Sequence, residues 1–314
     1  MVKTVIGIIS YNDLHYLKKT LPILNELPDS KIVILDNAHN HEVQKFVNQK
    51  YPEIDFIRHR DGNLGFGRGH NYIVLKSPAS DYFFCLNNDI LLEPSTYKKC
   101  VKFLDGHKDS CIISAKLYHW DFAHDQKTKI IDTLGIIGTR AHHFWDRGQG
   151  KEDKGQYDNS INNIFGISGA AFFIRRSCIP KLQGSTNQIF DENFFMYKED
   201  IDLAYRMRWQ GMKIDFLPDV LGYHDRTVGK KKKKSKFEAK MSYKNHLLLL
   251  RNNFSSKYPF NYKYLTFIHE GLKFFYYLLR NPKILAEFPK AFKIKIRKSE
   301  RTIPPRKMKK FFLK

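Results

Sequence analysis

The chain begins with Thr4-Val5-Ile6-Gly7-Ile8-Ile9-Ser10, a continuous apolar run of the kind that forms a parallel strand buried on both faces. Tyr11-Asn12-Asp13 closes the run, and Asn12 or Asp13 is placed to cap a helix reaching Leu24. Lys31-Ile32-Val33-Ile34-Leu35 predicts a second buried strand, stopped by Asp36-Asn37, with a helix over residues 42–50 behind it. Ile54-Asp55-Phe56-Ile57 predicts a short third strand. The glycine-rich stretch from Asn63 to Asn71 reads as a loop leading into a helix, and Tyr82-Phe83-Phe84-Cys85-Leu86 as a fourth strand, ended by Asn87-Asn88-Asp89. Strands alternating with helices predict an α/β fold with an open, mostly parallel, Rossmann-like central sheet and flanking helices. Such sheets bind ligands beyond the carboxyl ends of their strands, where Asn12, Asp36 and Asp89 stop three of them.

The middle is less regular. Ile112-Ile113-Ser114-Ala115 predicts a strand, residues 119–160 long loops with short hairpin strands near 130–134, and residues 164–174 a turn followed by a strand. Next comes Phe194-Phe195-Met196-Tyr197-Lys198-Glu199-Asp200-Ile201-Asp202-Leu203, with three carboxylates in four residues. Leu203 and Met207, four apart, predict a helix starting there. Acids in a first helical turn are favoured by the helix dipole, and their mutual repulsion raises a pKa, one route to a base that works near neutral pH. Lys213-Ile214-Asp215-Phe216-Leu217 predicts a further strand ahead of Gly222-Tyr223-His224.

With 314 residues and 42% hydrophobic content the chain can bury a large core. No apolar run spans a bilayer, and because Met1 leads almost directly into the first strand pattern no secretory leader is expected. Cys85, Cys100, Cys111 and Cys178 are scattered, so neither zinc nor a disulfide framework is expected, and a reducing cytoplasm fits. Charge is the most uneven property. Residues 230–314 hold 25 Lys and Arg against 4 Asp and Glu, which leaves the first 229 residues at +1 of the total +22. The expected organisation is therefore a near-neutral domain over residues 1–229 and a basic, partly amphipathic helical region over 230–314.

Seven motifs, taken in order, resemble the family 2 glycosyltransferases of GT-A fold, in particular their rhamnosyltransferase-like branch. They are Ser10-Tyr11-Asn12, Asp36-Asn37, Asn63-x-Gly65-x-Gly67-x-Gly69-x-Asn71, Leu86-Asn87-Asn88-Asp89, Ser168-Gly169-Ala170-Ala171, the stretch from Phe190-Asp191-Glu192 through Glu199-Asp200-x-Asp202-Leu203, and His224. The resemblance covers about residues 4–226. It implies an enzyme that moves a sugar from a nucleoside-diphosphate donor, dTDP- or UDP-linked, to an acceptor hydroxyl with inversion.

The resemblance assigns roles residue by residue. Ser10, Asn12, Asp36, Asn63, Gly65, Arg68, Asn71, Asn87, Asn88 and Asp89 would bind the donor. Asp36 would accept the imide N–H of uracil or thymine, and Arg68 would lie near the diphosphate or sugar. Asn87-Asn88-Asp89 stands where the family keeps an Asp-x-Asp metal motif, with Asn in place of the first acid. Asp89 and His224 would hold a divalent cation, Mg²⁺ or Mn²⁺, and the imidazole favours Mn²⁺. Ser168-Gly169-Ala170-Ala171 would border the acceptor side. Asp200 would be the catalytic base, Glu199 would support it, Asp202 would be the alternative base, and Asp191 would shape the entrance. Asp132-Thr133-Leu134-Gly135 and Trp145-Asp146-Arg147-Gly148 resemble branch segments near the donor sugar or acceptor.

In the basic region, five lysines at 230–234 read as a solvated linker, residues 243–252 as a helix, and residues 258–292 as an amphipathic helix that either lies on an anionic bilayer or packs on the catalytic body. Residues 301–314, rich in Pro and Lys, read as mobile. A peripheral position on the cytoplasmic membrane face, with a glycan or lipid-linked acceptor of cell-surface polysaccharide, follows from the resemblance. Three rivals stand beside it. A nucleic-acid binder would use the basic region, but the aromatics sit among leucines, so no nucleic-acid partner is expected. A sugar-phosphate nucleotidyltransferase would want a basic glycine-rich loop where Ser10-Tyr11-Asn12-Asp13 stands. An inactive scaffold would not need Asp89 and Asp200.

Overall fold

A computed structural model of the chain describes residues 2–182, 188–226, 235–296 and 300–313. Parallel strands β1 (Thr4–Ser10), β2 (Ser30–Asp36), β3 (Asp55–Ile57) and β4 (Tyr82–Asn87) form half of a nine-stranded sheet among the described residues, in the order β3-β2-β1-β4. Pairing Ser10 with Asp36 and Ile9 with Asn87 brings the polar ends of three strands to one edge. Helices α1 (Leu14–Asn25), α2 (His41–Lys50) and α3 (Gly65–Lys76) connect them. Leu17, Leu21 and Leu24 of α1 recur at helical spacing and are buried.

The second half of the sheet is mixed. After β5 (Ile90–Leu92) and α4 (Pro94–Gly106), β6 (Ser110–Asp121) pairs antiparallel with β7 (Gln126–Thr133), while β8 (Ile136–Gly138) and β9 (Phe144–Asp146) form a separate two-stranded sheet. Residues 119–160, expected as mostly loop, therefore carry substantial strand. β10 (Ala171–Arg175) runs antiparallel between β4 and β6. A one-turn helix α5 (Ile179–Leu182), α6 (Glu199–Trp209) and β11 (Lys213–His224) follow, and β11 lies parallel to β6. One face of the sheet packs against α1, α2 and α4, the other against α3 and α6.

Four expectations change here. The glycine-rich stretch is not a loop, because α3 begins at Gly65. Its glycines allow close packing: a Cβ on Gly65 would lie 2.3 Å from the Phe195 carbonyl oxygen, and one on Gly69 2.7 Å from Ile9. Asp13 does not cap α1 with its side chain; it accepts from the Ser10 hydroxyl (2.5 Å) and the Tyr11 N–H (2.9 Å) instead. Cys111 and Cys178, 67 residues apart in sequence, form a disulfide with Cα atoms 5.9 Å apart. Neighbouring strands β6 and β10 lead to them, a proximity that spacing does not reveal, and the cysteine argument for a reducing compartment falls with it.

The fourth change concerns the basic region. α7 (Lys236–Asn253) starts with a capping box between Ser235 and Glu238. Its Leu248 and Leu249 share a core with Tyr205 and Trp209 of α6. The boundary at 229/230 and the lysine run at 230–234 lie outside the described residues. α8 (Phe260–Arg280) buries only Tyr262 and Thr266, and α9 (Glu287–Lys293) packs on α7. The terminal segment, expected to be mobile, is packed. It carries one-turn α10 (Pro305–Met308), buries Met308 and Phe312, and stacks Arg301 on Trp209.

Candidate active site

A cleft of about 590 Å³ opens at the carboxyl edge of the parallel strands, lined by Tyr11, Asp13, Asn37, Asn63, Gly65, Phe66, His70, Asn87, Asn88 and Asp89. Phe195, Met196 and Phe237, from the segment before α6 and from α7, complete its wall. His70 is wholly buried, and burial pushes its pKa down to about 3, so the ring is neutral.

Several donor-site candidates are not part of this wall. Ser10 is buried and its hydroxyl is taken by Asp13; Asn12, at φ 59°, accepts from Asn40. Asp36 is fully buried, with one oxygen gripped by Arg58 (2.9 and 3.0 Å) and the other taken by the Ala38 N–H, so Asn37 faces the cleft in its place. Arg68 pairs with Asp61 at 3.2 Å and faces a separate pocket beside His59 and Tyr72. Asn71 is buried and clamps Ile189 and Phe190 through three hydrogen bonds. Asn63, Gly65, Asn87, Asn88 and Asp89 do line the cleft.

β5 and β11, antiparallel neighbours that pair Ile90 with His224, bring Asp89 and His224 together across 135 residues of sequence. His224 Nε2 lies 3.2 Å from Asp89 Oδ1, at ion-pair distance but without hydrogen-bond geometry, so this buried oxygen accepts no hydrogen bond. On the other side, His224 Nδ1 is 2.8 Å from Asp132 Oδ2. Burial opposes a charge on His224, but Asp89 and Asp132 outweigh it and hold the pKa up at about 10. A carboxylate and an imidazole oriented by a second carboxylate make a donor set that fits a divalent cation, with Nε2 as the ligand atom once the ring is neutral. Asp132, quoted above only as part of a branch segment, is thus the residue that orients His224.

Glu199 and Asp200 open α6. Asp200 Oδ2 accepts from the Gly169 N–H (3.1 Å) and Oδ1 from the Ile201 N–H (2.8 Å). Ala170, next along, accepts from the Asn87 N–H (2.8 Å), so two residues of chain link Asp200 to the Asn-Asn-Asp segment. Burial raises the Asp200 pKa, against the Gly169 and Ile201 N–H groups, Lys198 and Arg226. Burial and then Asp200 push Glu199 up to about 8. Arg226 pairs with Asp146 (3.0 Å) and Asp132 (3.6 Å), and its charge is felt at Asp200. Burial holds Asp146 up at about 6 despite that arginine. The guanidinium joins the two carboxylate groups electrostatically.

Asp202 and Asp191 leave the candidate list. Asp202 is buried, with Arg206 at 2.7 Å on one oxygen and Asn253 at 2.9 Å on the other. Asp191 is buried and bonded to Asn193 and Asn252. Both pin α7 to the catalytic body. α7 also holds the turn before α6, where Tyr197 (φ 70°) and Lys198 (φ 71°) are both left-handed, a conformation that costs a non-glycine residue about 1–3 kcal/mol. Asn245 Nδ2 donates to the Met196 and Tyr197 carbonyls at 2.7 and 2.9 Å, and the Tyr197 hydroxyl donates to Glu238 at 2.7 Å. No local sequence signal pointed to Asn245, since a polar residue in a helix gives no partner 48 residues away.

The family model for glycosyl transferase family 2 matches residues 5–182, more than half of the chain. The chain belongs to that family. It is 25% identical over 235 residues to the rhamnosyltransferase WbbL of Escherichia coli (strain K12), covering 69% of this chain and 81% of that protein. The fold is that of the GT-A glycosyltransferases. The mannosyltransferase PcManGT from Pyrobaculum calidifontis, solved with GDP-Man and Mn²⁺, superposes with a TM-score of 0.54 at 14% identity, covering 93% of this chain and 74% of that one. GalNAc-T7, solved with UDP, GalNAc and Mn²⁺, gives 0.55 at 12% identity, over 84% and 49%. Asp200 and His224 lie beyond the family-matched residues, so their roles rest on the geometry above.

Proposed function

We propose that this glycosyltransferase is an inverting, cation-dependent enzyme that moves rhamnose from a dTDP- or UDP-linked donor to a hydroxyl of a glycan or lipid-linked acceptor in cell-surface polysaccharide synthesis. The observation that carries this reading is the convergence of Asp89 and His224 at the strand ends, with Asp200 tied to the same segment through Gly169 and Ala170. Asp89 and His224 would hold the cation, whose contribution is to neutralise the departing nucleoside diphosphate. The acceptor oxygen forms its bond to C1 as the bond from C1 to the phosphate oxygen breaks on the opposite face, and Asp200 takes the acceptor proton. Glu199, whose pKa burial and Asp200 push up to about 8, holds its proton at neutral pH and so spares Asp200 a second charge directly beside it. Asp200→Asn should abolish release of free nucleoside diphosphate in a donor–acceptor assay with Mn²⁺ or Mg²⁺ while leaving donor binding by calorimetry near its parent value. Turnover by that variant at close to the parent rate would remove Asp200 as the base.

The reading extends to an anionic membrane surface on the cytoplasmic side. No helix among the described residues is long and apolar enough to cross a bilayer. On α8, however, Phe260, Phe267 and Leu279 are 77, 73 and 82% exposed, with Leu272 and Phe275 beside them. Lys263 and Arg280 flank this face at helical spacing on α8. An apolar helical face rimmed by cations matches an interfacial helix on anionic lipid. Because α7 is part of the core, the test is substitution rather than truncation. Phe267→Glu with Leu279→Glu should abolish flotation with phosphatidylserine liposomes that the parent shows. Equal flotation of both proteins would end the membrane reading.

A further inference from the structure

We propose a second metal site, of zinc class, formed by His246 of α7 and His269 and Glu270 of α8, separate from the Asp89–His224 pair. The three side chains converge on one point. His246 Nε2 is 2.7 Å and His269 Nδ1 2.9 Å from the same oxygen, Oε1 of Glu270, and one ligand atom from each residue lies within 4.8 Å of the other two. Two imidazoles and one carboxylate are the donor set of an open zinc site, with the fourth position left to water. Zinc bonds of about 2.0–2.1 Å place tetrahedral ligand atoms roughly 3.3 Å apart, so the two imidazole–carboxylate distances of 2.7 and 2.9 Å would open by about half an ångström and the imidazole–imidazole distance, within 4.8 Å, would adjust toward the same value.

In the metal-free protein each imidazole nitrogen that faces Glu270 Oε1 donates its N–H to that carboxylate, so metal binding replaces these two hydrogens, by a change of tautomer or by their release. Two cations oppose an incoming ion. Lys273 stands 3.9 Å from Glu270 Oε2, and Lys198 contributes to the local field. The His143 ring lies 5.5 Å from that of His269, tilted by 48°.

The position gives the site a purpose. His246 follows Asn245, the residue that clamps the strained turn ahead of Glu199 and Asp200. α8 carries the exposed apolar face and buries little of itself against the body. A metal bond from α8 to α7 would fix that helix to the element that holds the catalytic turn. The inference does not rest on the identity of donor or acceptor.

The test uses full-length protein stripped with chelator. Zn²⁺ is titrated by calorimetry, and Co²⁺ by its visible absorption, which is intense only in four-coordinate sites. The background is Asp89→Ala, which removes the family-type site. That protein should bind one equivalent of Zn²⁺ and show the intense Co²⁺ bands. Adding His269→Ala, at a partly exposed position, or the near-isosteric Glu270→Gln, should remove both signals while circular dichroism stays unchanged. Absence of stoichiometric Zn²⁺ binding to the Asp89→Ala protein, or binding that survives both second substitutions, overturns the proposal.

Discussion

Replacing Gly65 by alanine separates two explanations of the glycine-rich start of α3, a cradle for phosphate or close approach of protein to protein. Gly65 has φ +71°, and a Cβ there would meet the Phe195 carbonyl oxygen at 2.3 Å and its ring at 2.7 Å. The same carbonyl accepts the Phe66 N–H at 2.8 Å. A left-handed φ costs an alanine about 1–2 kcal/mol. Displacing Phe195 also strains or breaks that hydrogen bond, for about 1 kcal/mol more, so the expected total is roughly 2–3 kcal/mol. Gly62 supplies the control, because its φ is +73° and nothing lies within 4 Å of its added Cβ. Gly62→Ala should show the backbone cost alone, about 1–2 kcal/mol. Urea unfolding of the two full-length variants, followed by far-ultraviolet circular dichroism, measures the difference. Since Phe195 leads into the turn that presents Asp200, Gly65→Ala should also lower turnover. Equal stability of the two variants, with donor binding lost only in Gly65→Ala, would refute the packing argument and restore the phosphate cradle.

Asn245→Ala removes both hydrogen bonds that hold the Met196–Tyr197 turn, and should lower kcat about tenfold, the equivalent of about 1.4 kcal/mol, with donor affinity unchanged. Steady-state kinetics beside donor calorimetry checks this, and a weakened donor with intact kcat would contradict it. Glu199→Gln should flatten the pH dependence of stability. Folded Glu199 keeps its proton to about 8, whereas the ordinary value is 4.5, so the parent loses stability as pH rises between these values, by up to about 1.4 kcal/mol per unit, and levels off above. The glutamine variant lacks that slope, and denaturation midpoints at pH 6, 7 and 8 that run parallel for both proteins would show Glu199 to be ionised throughout.

What local sequence carried was the run of buried strands, their polar ends at one edge, the acidic start of α6 and the ordered motifs of the family. Apolar runs and helix-start acids depend on neighbours a few residues away, so the chain itself records them. Which side chain leaves each strand end toward the cleft is another matter. Tyr11 and Asp13 face it where Ser10 and Asn12 were expected, and Asn37 where Asp36 was. A turn of a few residues sends adjacent side chains in opposite directions, and only the packed turn selects one. The pairing of His224 with Asp132, the Cys111–Cys178 bond, and the use of Asp191, Asp202 and Asn245 to bind α7 to the body all join positions far apart in sequence. Burial made those partners obligatory, because an unpaired charge or amide inside the core costs more than local preference can supply. The basic region, read by charge as an appendage, became part of the core for the same reason: the leucines of α7 had an apolar face on α6 to cover.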